Sequence, residues 1–418
     1  MPRRWQAILH AHLSHWMVVL LLTGIGLWVG SYIDHNNLWT DVRYAATQKM
    51  FQQLRKPLYP KRTAIVLIGD EEYWLGELAG RSPIRRDYLG RLVDALDKAG
   101  AQVIALDFDL RSPEPDGSVR ENPAYIEETK VLASSINSIN GRAKVILATS
   151  IGLAPDGDGY VSQANVYDGL ISAPIERGYV QLPYDVRRVP LPMDVEDRSG
   201  NQTSVVDSFS TAIVKSVDLE AYRRTVDSGS DELPFASYIA PSEFANSSEP
   251  KLLRASKLLR DPSAASKYLS GKIVIVSGDW NSRAFGVGPR VDMHASPVGL
   301  MPGAMIHANY VESMLNDQVF RPIPEWLAIA AEVLMVLVLS VVAFLGLRLW
   351  VQMATMIGIT LLILLASFFL QDLGRFVDFF IPLIIVLGHR VIEKILEWRR
   401  EAVEWRKEAP RRPDHAHA

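Results

Sequence analysis

Two short apolar runs set the frame of the chain, residues 64–68 (Ala-Ile-Val-Leu-Ile) and residues 103–106 (Val-Ile-Ala-Leu). Both are rich in β-branched residues and bounded by polar ones, the pattern of buried strands. The first ends at Gly69-Asp70-Glu71-Glu72 and the second at Asp107-Phe108-Asp109. Between them Tyr88, Leu89, Leu92, Val93, Leu96 and Ala99 recur at helical spacing, and Gly100 supplies the stop. Strand, helix, strand with one crossover predicts a βαβ unit whose two strands are parallel neighbours. Such a unit gathers Asp70, Asp107 and Asp109 at the C-terminal edge of the sheet, where open α/β folds hold their ligands.

The pattern continues. Residues 125–139 predict a second helix and 144–148 a third strand. Residues 178–182 and 186–191 read as a strand pair around Pro183-Tyr184-Asp185, residues 205–217 as a helix, and 228–259 as irregular and turn-rich. Residues 272–277 form the last clear strand, ending at Gly278-Asp279-Trp280. After a loop holding Asp292 and His294, a helix over 305–315 opens at Pro302-Gly303.

Outside residues 34–322 the periodicity gives way to long uncharged runs. Residues 14–33 number about 20, enough to cross the ~30 Å hydrocarbon core of a bilayer. A signal peptide is the rival reading, but the run exceeds a signal-peptide core and Gly30-Ser31-Tyr32 is a poor cleavage site. Gly26 and Gly30 make a GxxxG spacing, and residues 39–54 read as an amphipathic helix leaving the membrane. Residues 326–347, 349–370 and 376–396 predict three more spans, the last with a helix lying at the interface as its alternative. Arg3 and Arg4 in the 1–13 terminus and the basic residues of the 397–418 tail put both ends in the cytoplasm and block 34–322 outside. The expectation is a multi-pass protein of a bacterial cytoplasmic (inner) membrane, with the lipid bilayer as one partner and a large domain in the periplasm or extracellular space.

Two features of these outer segments bear chemistry. Glu332 lies inside the second span, where a carboxylate is costly and hints at a partner or relay; near the interface it simply reaches water. Val391, Ile395, Trp398, Ala402 and Trp405 follow 4-3-4-3 spacing, the seam of a coiled coil that would pair two copies as a homodimer. The rival is a basic amphipathic helix lying on anionic lipid.

Composition narrows the classes. The chain has 418 residues, 48% of them hydrophobic, a net charge of −3 and no cysteine. Nothing in that charge points to nucleic acid, and disulfides and thiolate metal sites are excluded. Asp70, Asp107 and Asp109, joined by Asp292, His294 or His307, would suit a divalent ion or a cationic ligand. Alternatively they cap loops and accept backbone N–H groups. Ser277 is no nucleophile elbow, because Ile275 and Asp279 stand where GxSxG needs glycine. Arg187-Arg188 would clamp an anion, or place one arginine in an ion pair and the other in solvent. No enzyme, cofactor or resident metal is expected.

The outer block also resembles a known family. Ile68-Gly69-Asp70-Glu71, the Arg85-Arg86 pair and Ala99-Gly100-Ala101-Gln102-Val103-Ile104-Ala105-Leu106-Asp107 look like the CHASE2 extracellular sensory domain. So do Arg187-Arg188-Val189-Pro190-Leu191, the 271–278 strand, Ser296-Pro297-Val298-Gly299, Pro302-Gly303 and Ile306-His307-Ala308-Asn309. The resemblance covers roughly residues 34–322. It implies an α/β extracytoplasmic domain with a mainly parallel sheet, followed by membrane helices that serve a cytoplasmic cyclase or kinase; here that adds up to four transmembrane α-helices. This sequence departs where the family carries a Trp-Pro-rich region and it has Gly80-Arg81-Ser82-Pro83-Ile84-Arg85. After Gly388 about 30 residues remain, against ~100 or more for a catalytic domain.

The expected function is therefore a non-enzymatic sensor or adaptor. It binds a small molecule, ion or envelope protein through Asp70, Arg86, Asp107, Asp109, Asp292, His294 and His307, and relays the signal through the membrane helices to a separate cytoplasmic or membrane signalling protein. The alternatives are a docking subunit of an envelope complex and, third, an envelope hydrolase using the acidic edge.

Overall fold

The structure is a computed structural model that describes residues 59–111, 123–139, 141–154, 159–163, 165–196, 203–227, 233–246, 250–284 and 286–322, with scattered positions beyond. The chain divides into two compact units, Tyr44–Pro322 and Met1–Arg43 with Ile323–Ala418. The elements below belong to the first unit.

The strands in chain order are β1 (Thr63–Gly69), β2 (Val103–Leu106), β3 (Lys144–Thr149), β4 (Ile151–Leu153), β5 (Tyr160–Ser162) and β6 (Ile175–Tyr179). Then come β7 (Met193–Glu196), β8 (Thr203–Val206), β9 (Phe235–Ala236), β10 (Leu252–Arg254) and β11 (Ile273–Asp279). Six of them form one sheet in the order β10-β1-β11-β2-β3-β6. Every pairing in it is parallel. β1 and β11 are buried at all their positions, as a sheet covered on both faces requires. Ala64, Val66, Ile68, Ile104, Leu106, Val274 and Val276 pack with the helices Arg86–Lys98, Pro123–Ser138, Ala255–Arg260 and Pro262–Leu269. The alternate side chains face the helices Phe209–Val217 and Gly303–Leu315 on the opposite side, so the unit has three layers.

The βαβ expectation holds for direction but not for adjacency. β1 and β2 are parallel, yet β11 lies between them, with Ala64 opposite Val274 and Val274 opposite Ile104. Ile273 to Val276 are apolar in succession, as a strand with helices over both faces requires, and pairing with β1 on one edge and β2 on the other leaves β11 no free edge.

The strand pair expected around residues 183–185 is also corrected. Residues 175–179 form β6, the edge strand beside β3, while residues 186–191 run irregularly and touch β9 through one bridge, Arg188 to Phe235. Pro183, Pro190 and Pro192 remove the N–H groups a ladder needs. In the 205–217 stretch, residues 203–206 are strand β8, and the helix begins only at Phe209, after Ser208 caps it by accepting the Thr211 N–H at 3.1 Å. The 228–259 stretch supplies β10, the second sheet edge, which no local pattern announces. The helix expected over 305–315 is present as Gly303–Leu315 and is buried at every residue.

The four membrane-spanning helices expected over 14–33, 326–347, 349–370 and 376–396 are not supported. Among the described residues no helix is long and apolar enough to cross a membrane. The Pro123–Ser138 helix has 16 residues, below the ~20 a span needs, and the 13-residue apolar Gly303–Leu315 helix is spent in the core. Those four segments lie almost wholly outside the described residues, as does the amphipathic helix over 39–54.

Beyond the large sheet, β4, β5, β7 and β8 make a small sheet around Ile151 and Val195. Three antiparallel pairs are also present in the unit. They are β12 (Asn281–Arg283) with β13 (Val287–Arg290), β14 (Met293–Ser296) with β15 (Gly299–Pro302), and β16 (Val319–Pro322) with β9. At the N-terminal end of β1 the fully buried Glu312 accepts from the Arg62 and Thr63 N–H groups, both at 2.7 Å.

Candidate functional site

The C-terminal edge of the large sheet is where β1, β11 and β2 end side by side. Beyond β1, Asp70 accepts from the Asn281 backbone N–H at 2.8 Å and from its side-chain amide at 2.5 Å. It fastens the end of β1 to the chain leaving β11. Asp109 accepts from Ser150 Oγ at 2.7 Å and from the Arg111 N–H at 3.1 Å, and pairs with Arg111 Nε at 2.8 Å. Both carboxylates thus do the loop-capping work that was the alternative to ligand binding.

Asp107 is placed differently. Its backbone N–H donates to Val276 at 2.9 Å, which pins it to β11. Its half-buried carboxyl takes a hydrogen bond from Ser277 and faces Asp292 and His294. Asp292 precedes β14 with φ of 54°, a left-handed conformation that aspartate tolerates. Its carbonyl accepts the Gly303 N–H at 2.9 Å, and its Oδ1 lies 2.9 Å from His294 Nε2. The lack of a side chain at Gly303 leaves room for this carboxylate, since a Cβ would come within 2.4 Å of Asp292 Oδ2. The Asp292 carboxylate therefore sits against the positive end of the Gly303–Leu315 helix dipole.

Electrostatics single out this trio. Burial and the like charge of Asp292 push the Asp107 carboxyl up to about 7, against the opposing pull of Ser277 and His294. The hydrogen bond that His294 donates to Asp292, with the charge of Asp292 and that of Asp107, raises the His294 imidazole above its ordinary value. His307 is behind them and fully buried; its Nδ1 is 2.9 Å from Ser210 Oγ, and burial holds it down to about 4. It is a neutral core histidine beside the trio, not part of its exposed face.

Arg86 takes another place. It is buried in the packing between the Arg86–Lys98 and Pro123–Ser138 helices, donating to Thr129 Oγ1 at 2.6 Å and to the Tyr125 carbonyl at 3.3 Å. Arg187 forms a two-pronged pair with Asp185 at 2.6 and 2.7 Å, the ion-pair alternative of the sequence reading. Among the described residues no group of three or more His, Cys, Asp or Glu side chains could hold a metal ion. Glu332, Val391, Ile395 and Trp405 lie outside the described residues, and Trp398 is exposed.

The sequence reading missed three parts of this edge. Asp279, 4% exposed at the end of β11, receives Arg290 Nη1 at 2.7 and 2.8 Å and Arg254 Nη1 at 3.4 Å. Its signal was there, an acidic residue closing the most apolar strand. An aromatic wall stands where Tyr73 stacks on Trp280 at 4.0 Å and Trp74 Nε1 donates to the Asn281 carbonyl at 2.9 Å. A cleft of about 280 Å³ beside it is lined by Glu71, Glu72, Glu77, Tyr88, Ser256 and Leu259.

The family model described as CHASE2 domain matches the chain over residues 17–345. No curated protein and no solved structure matches it.

Proposed function

The chain belongs to the CHASE2 family of extracytoplasmic sensory domains, and on that premise we propose that it receives its signal at the C-terminal edge of the large sheet, around Asp107, Asp292 and His294. The observation that carries the reading is the meeting of two facing carboxylates and one histidine, drawn from a strand end and a hairpin far apart in the chain. Asp107 is half-buried and feels the like charge of the exposed Asp292, a repulsion that a cationic group or a proton relieves. A small molecule or an envelope protein that brings such a group would favour one setting of the hairpin over another, and differential affinity is all that signalling needs. The output is passed to a separate signalling protein, and the chain itself acts without chemistry of its own.

The test is in the host cell. The chromosomal copy is replaced by the Asp107→Asn, His294→Ala double variant of the full-length chain, and the phosphoprotein and transcript profile is compared with that of a gene deletion. The expected result is a variant that accumulates normally yet reproduces changes seen in the deletion. A profile identical to wild type would overturn the proposal. A docking subunit of an envelope complex is the second reading, favoured by the exposed Leu153, Tyr160 and Val205 of the small sheet. It expects partner recovery to be untouched by the double variant and lost when these three become serine.

A further inference from the structure

We propose that the cleft of about 280 Å³ beside the Tyr73–Trp280 stack is a second binding site, which takes the ammonium group of a small organic amine between Glu71, Glu77 and Tyr88. This site shares no residue with the Asp107 trio.

Three elements wall the cleft. The first is the wide turn Glu71–Leu75, a π-helical turn that leaves β1 at Asp70 and ends at Gly76. The second is the Arg86–Lys98 helix, which contributes Tyr88, and the third is the Ala255–Arg260 helix, which contributes Ser256 and Leu259. Glu72 locks the turn to the third element. It is buried, and its carboxylate accepts from the Gly69 N–H at 2.9 Å and from the Ser256 N–H at 3.1 Å. Burial alone would push this carboxyl up, but hydrogen bonds from the Ser256 side chain and from these backbone groups hold it below its ordinary value. Glu72 therefore stays ionised near neutral pH and serves as a fixed wall.

Two independent observations point to a guest. The first is Tyr88, which is only 2% exposed, yet among the described residues its hydroxyl makes no hydrogen bond. A buried phenol ordinarily has a partner. This one lines the cleft, where burial and the charges of Glu72 and Glu77 raise it well above its ordinary range, so the oxygen keeps its proton. The second is charge. Among the described residues that line the cleft there are three carboxylates and no basic side chain. Glu71 is exposed and, among the described residues, has no cation partner. Glu77 meets Arg91 at 2.6 Å, but both side chains are nearly half exposed, and such a pair is worth ~0–1 kcal/mol, so a ligand can displace it. Arg85 and Arg254 pair with Asp87 and Asp279 instead.

The chemistry selects an amine. Among the described residues no three His, Cys, Asp or Glu side chains could share a metal ion, and the cleft is far larger than a bare ion needs. An ammonium carries three N–H donors, which match two carboxylates and one phenolic oxygen. The hydrocarbon behind it has Leu259 and the Tyr88 ring to cover it.

The probe is butylammonium chloride, titrated against the full-length protein and followed by saturation-transfer difference NMR. 1-Butanol is the uncharged isostere, and sodium chloride keeps the ionic strength matched throughout. Wild type is expected to bind the amine about tenfold or more tightly than the alcohol. Tyr88→Phe removes only an unpartnered hydroxyl, so its melting temperature is expected to match or exceed wild type while amine affinity falls about three- to tenfold. The Glu71→Gln, Glu77→Gln double variant, at two exposed positions, is expected to stay folded and to lose about tenfold or more in affinity. The Asp107→Asn, His294→Ala variant is expected to keep the wild-type affinity. No binding of butylammonium to wild type overturns the site, as do equal binding of the alcohol and undiminished binding to the double glutamine variant. Binding that survives in the glutamine variant and vanishes in the Asp107→Asn, His294→Ala variant moves the amine to the trio and overturns the cleft. None of these failures alters the cellular test of the trio, which stands or falls by its own profile.

Discussion

Truncating Glu312 to alanine tests how the central strands are anchored at the end of the sheet away from the site. Glu312 Oε1 accepts three hydrogen bonds, from Arg62 N–H and Thr63 N–H at 2.7 Å and from Thr63 Oγ1 at 2.9 Å. Its Oε2 accepts from Asn316 Nδ2 at 2.9 Å. Glu312 and Thr63 are both fully buried, so water cannot take over the orphaned Thr63 N–H, whereas Arg62 is exposed and its N–H only part-buried. The Thr63 hydroxyl can rotate to another acceptor, but the Thr63 amide cannot. One unsatisfied buried N–H at ~1–3 kcal/mol, with some lost packing, gives about 2–4 kcal/mol. That is a large part of the ~5–15 kcal/mol that holds a domain together. Glu312→Gln keeps an acceptor oxygen for Arg62 and Thr63 and disturbs only the Asn316 contact, so about 1–2 kcal/mol is expected. The measurement is urea unfolding of the full-length protein followed by far-ultraviolet circular dichroism. An alanine variant within ~1 kcal/mol of wild type would show that Glu312 does not anchor β1.

Three further outcomes follow from the same reasoning. Asp107 binds its proton more tightly when folded than when unfolded, so its contribution to stability falls as pH rises from about 4 to about 7 and is level above that. Asp107→Asn should remove this slope and stabilise the protein at pH 8 by up to about 4 kcal/mol, read from denaturant melts at several pH values. His307 runs the other way: held neutral in the fold down to about 4, it costs stability as pH falls from its ordinary value towards that point. His307→Gln should therefore flatten the acid limb of the stability curve, whatever it does to the plateau. Gly178→Ala places a Cβ 2.6 Å from the Phe209 Cα and should cost about 1–3 kcal/mol, whereas Gly169→Ala, with nothing within 4 Å, serves as the control for backbone strain alone.

Much of the frame was legible in the chain because it is local. The Arg86–Lys98 helix follows from its apolar spacing, and β1, β2, β3 and β11 from short runs of branched residues. Strand order was not, since β11's slot depends on a strand that lies over 160 residues downstream of β2, and no periodicity encodes that distance. Asp107, Asp292 and His294 were legible as residue types at strand and loop ends. Which of the acidic residues would be satisfied by local partners was not, because Asn281 and Ser150 reach Asp70 and Asp109 across the fold. Arg86 read as one of the ligand-binding residues, yet the fold uses its length to span two helices. Glu312 and Asp279 were hidden for the same reason: a carboxylate in an apolar context declares its burial only when its donors are in place.

The interior position of β11 has a consequence for how this protein comes into being. A chain synthesised only as far as residue 270 holds β1 and β2 with an empty lane between them, each offering a bare row of N–H and C=O groups. Such a half-product invites any extended peptide to fill the lane, including the same segment of a neighbouring copy. The keystone strand arrives late, so closure of the arch must await nearly the whole outer unit, and anything that shields those rows until then decides how much correctly assembled protein the cell obtains.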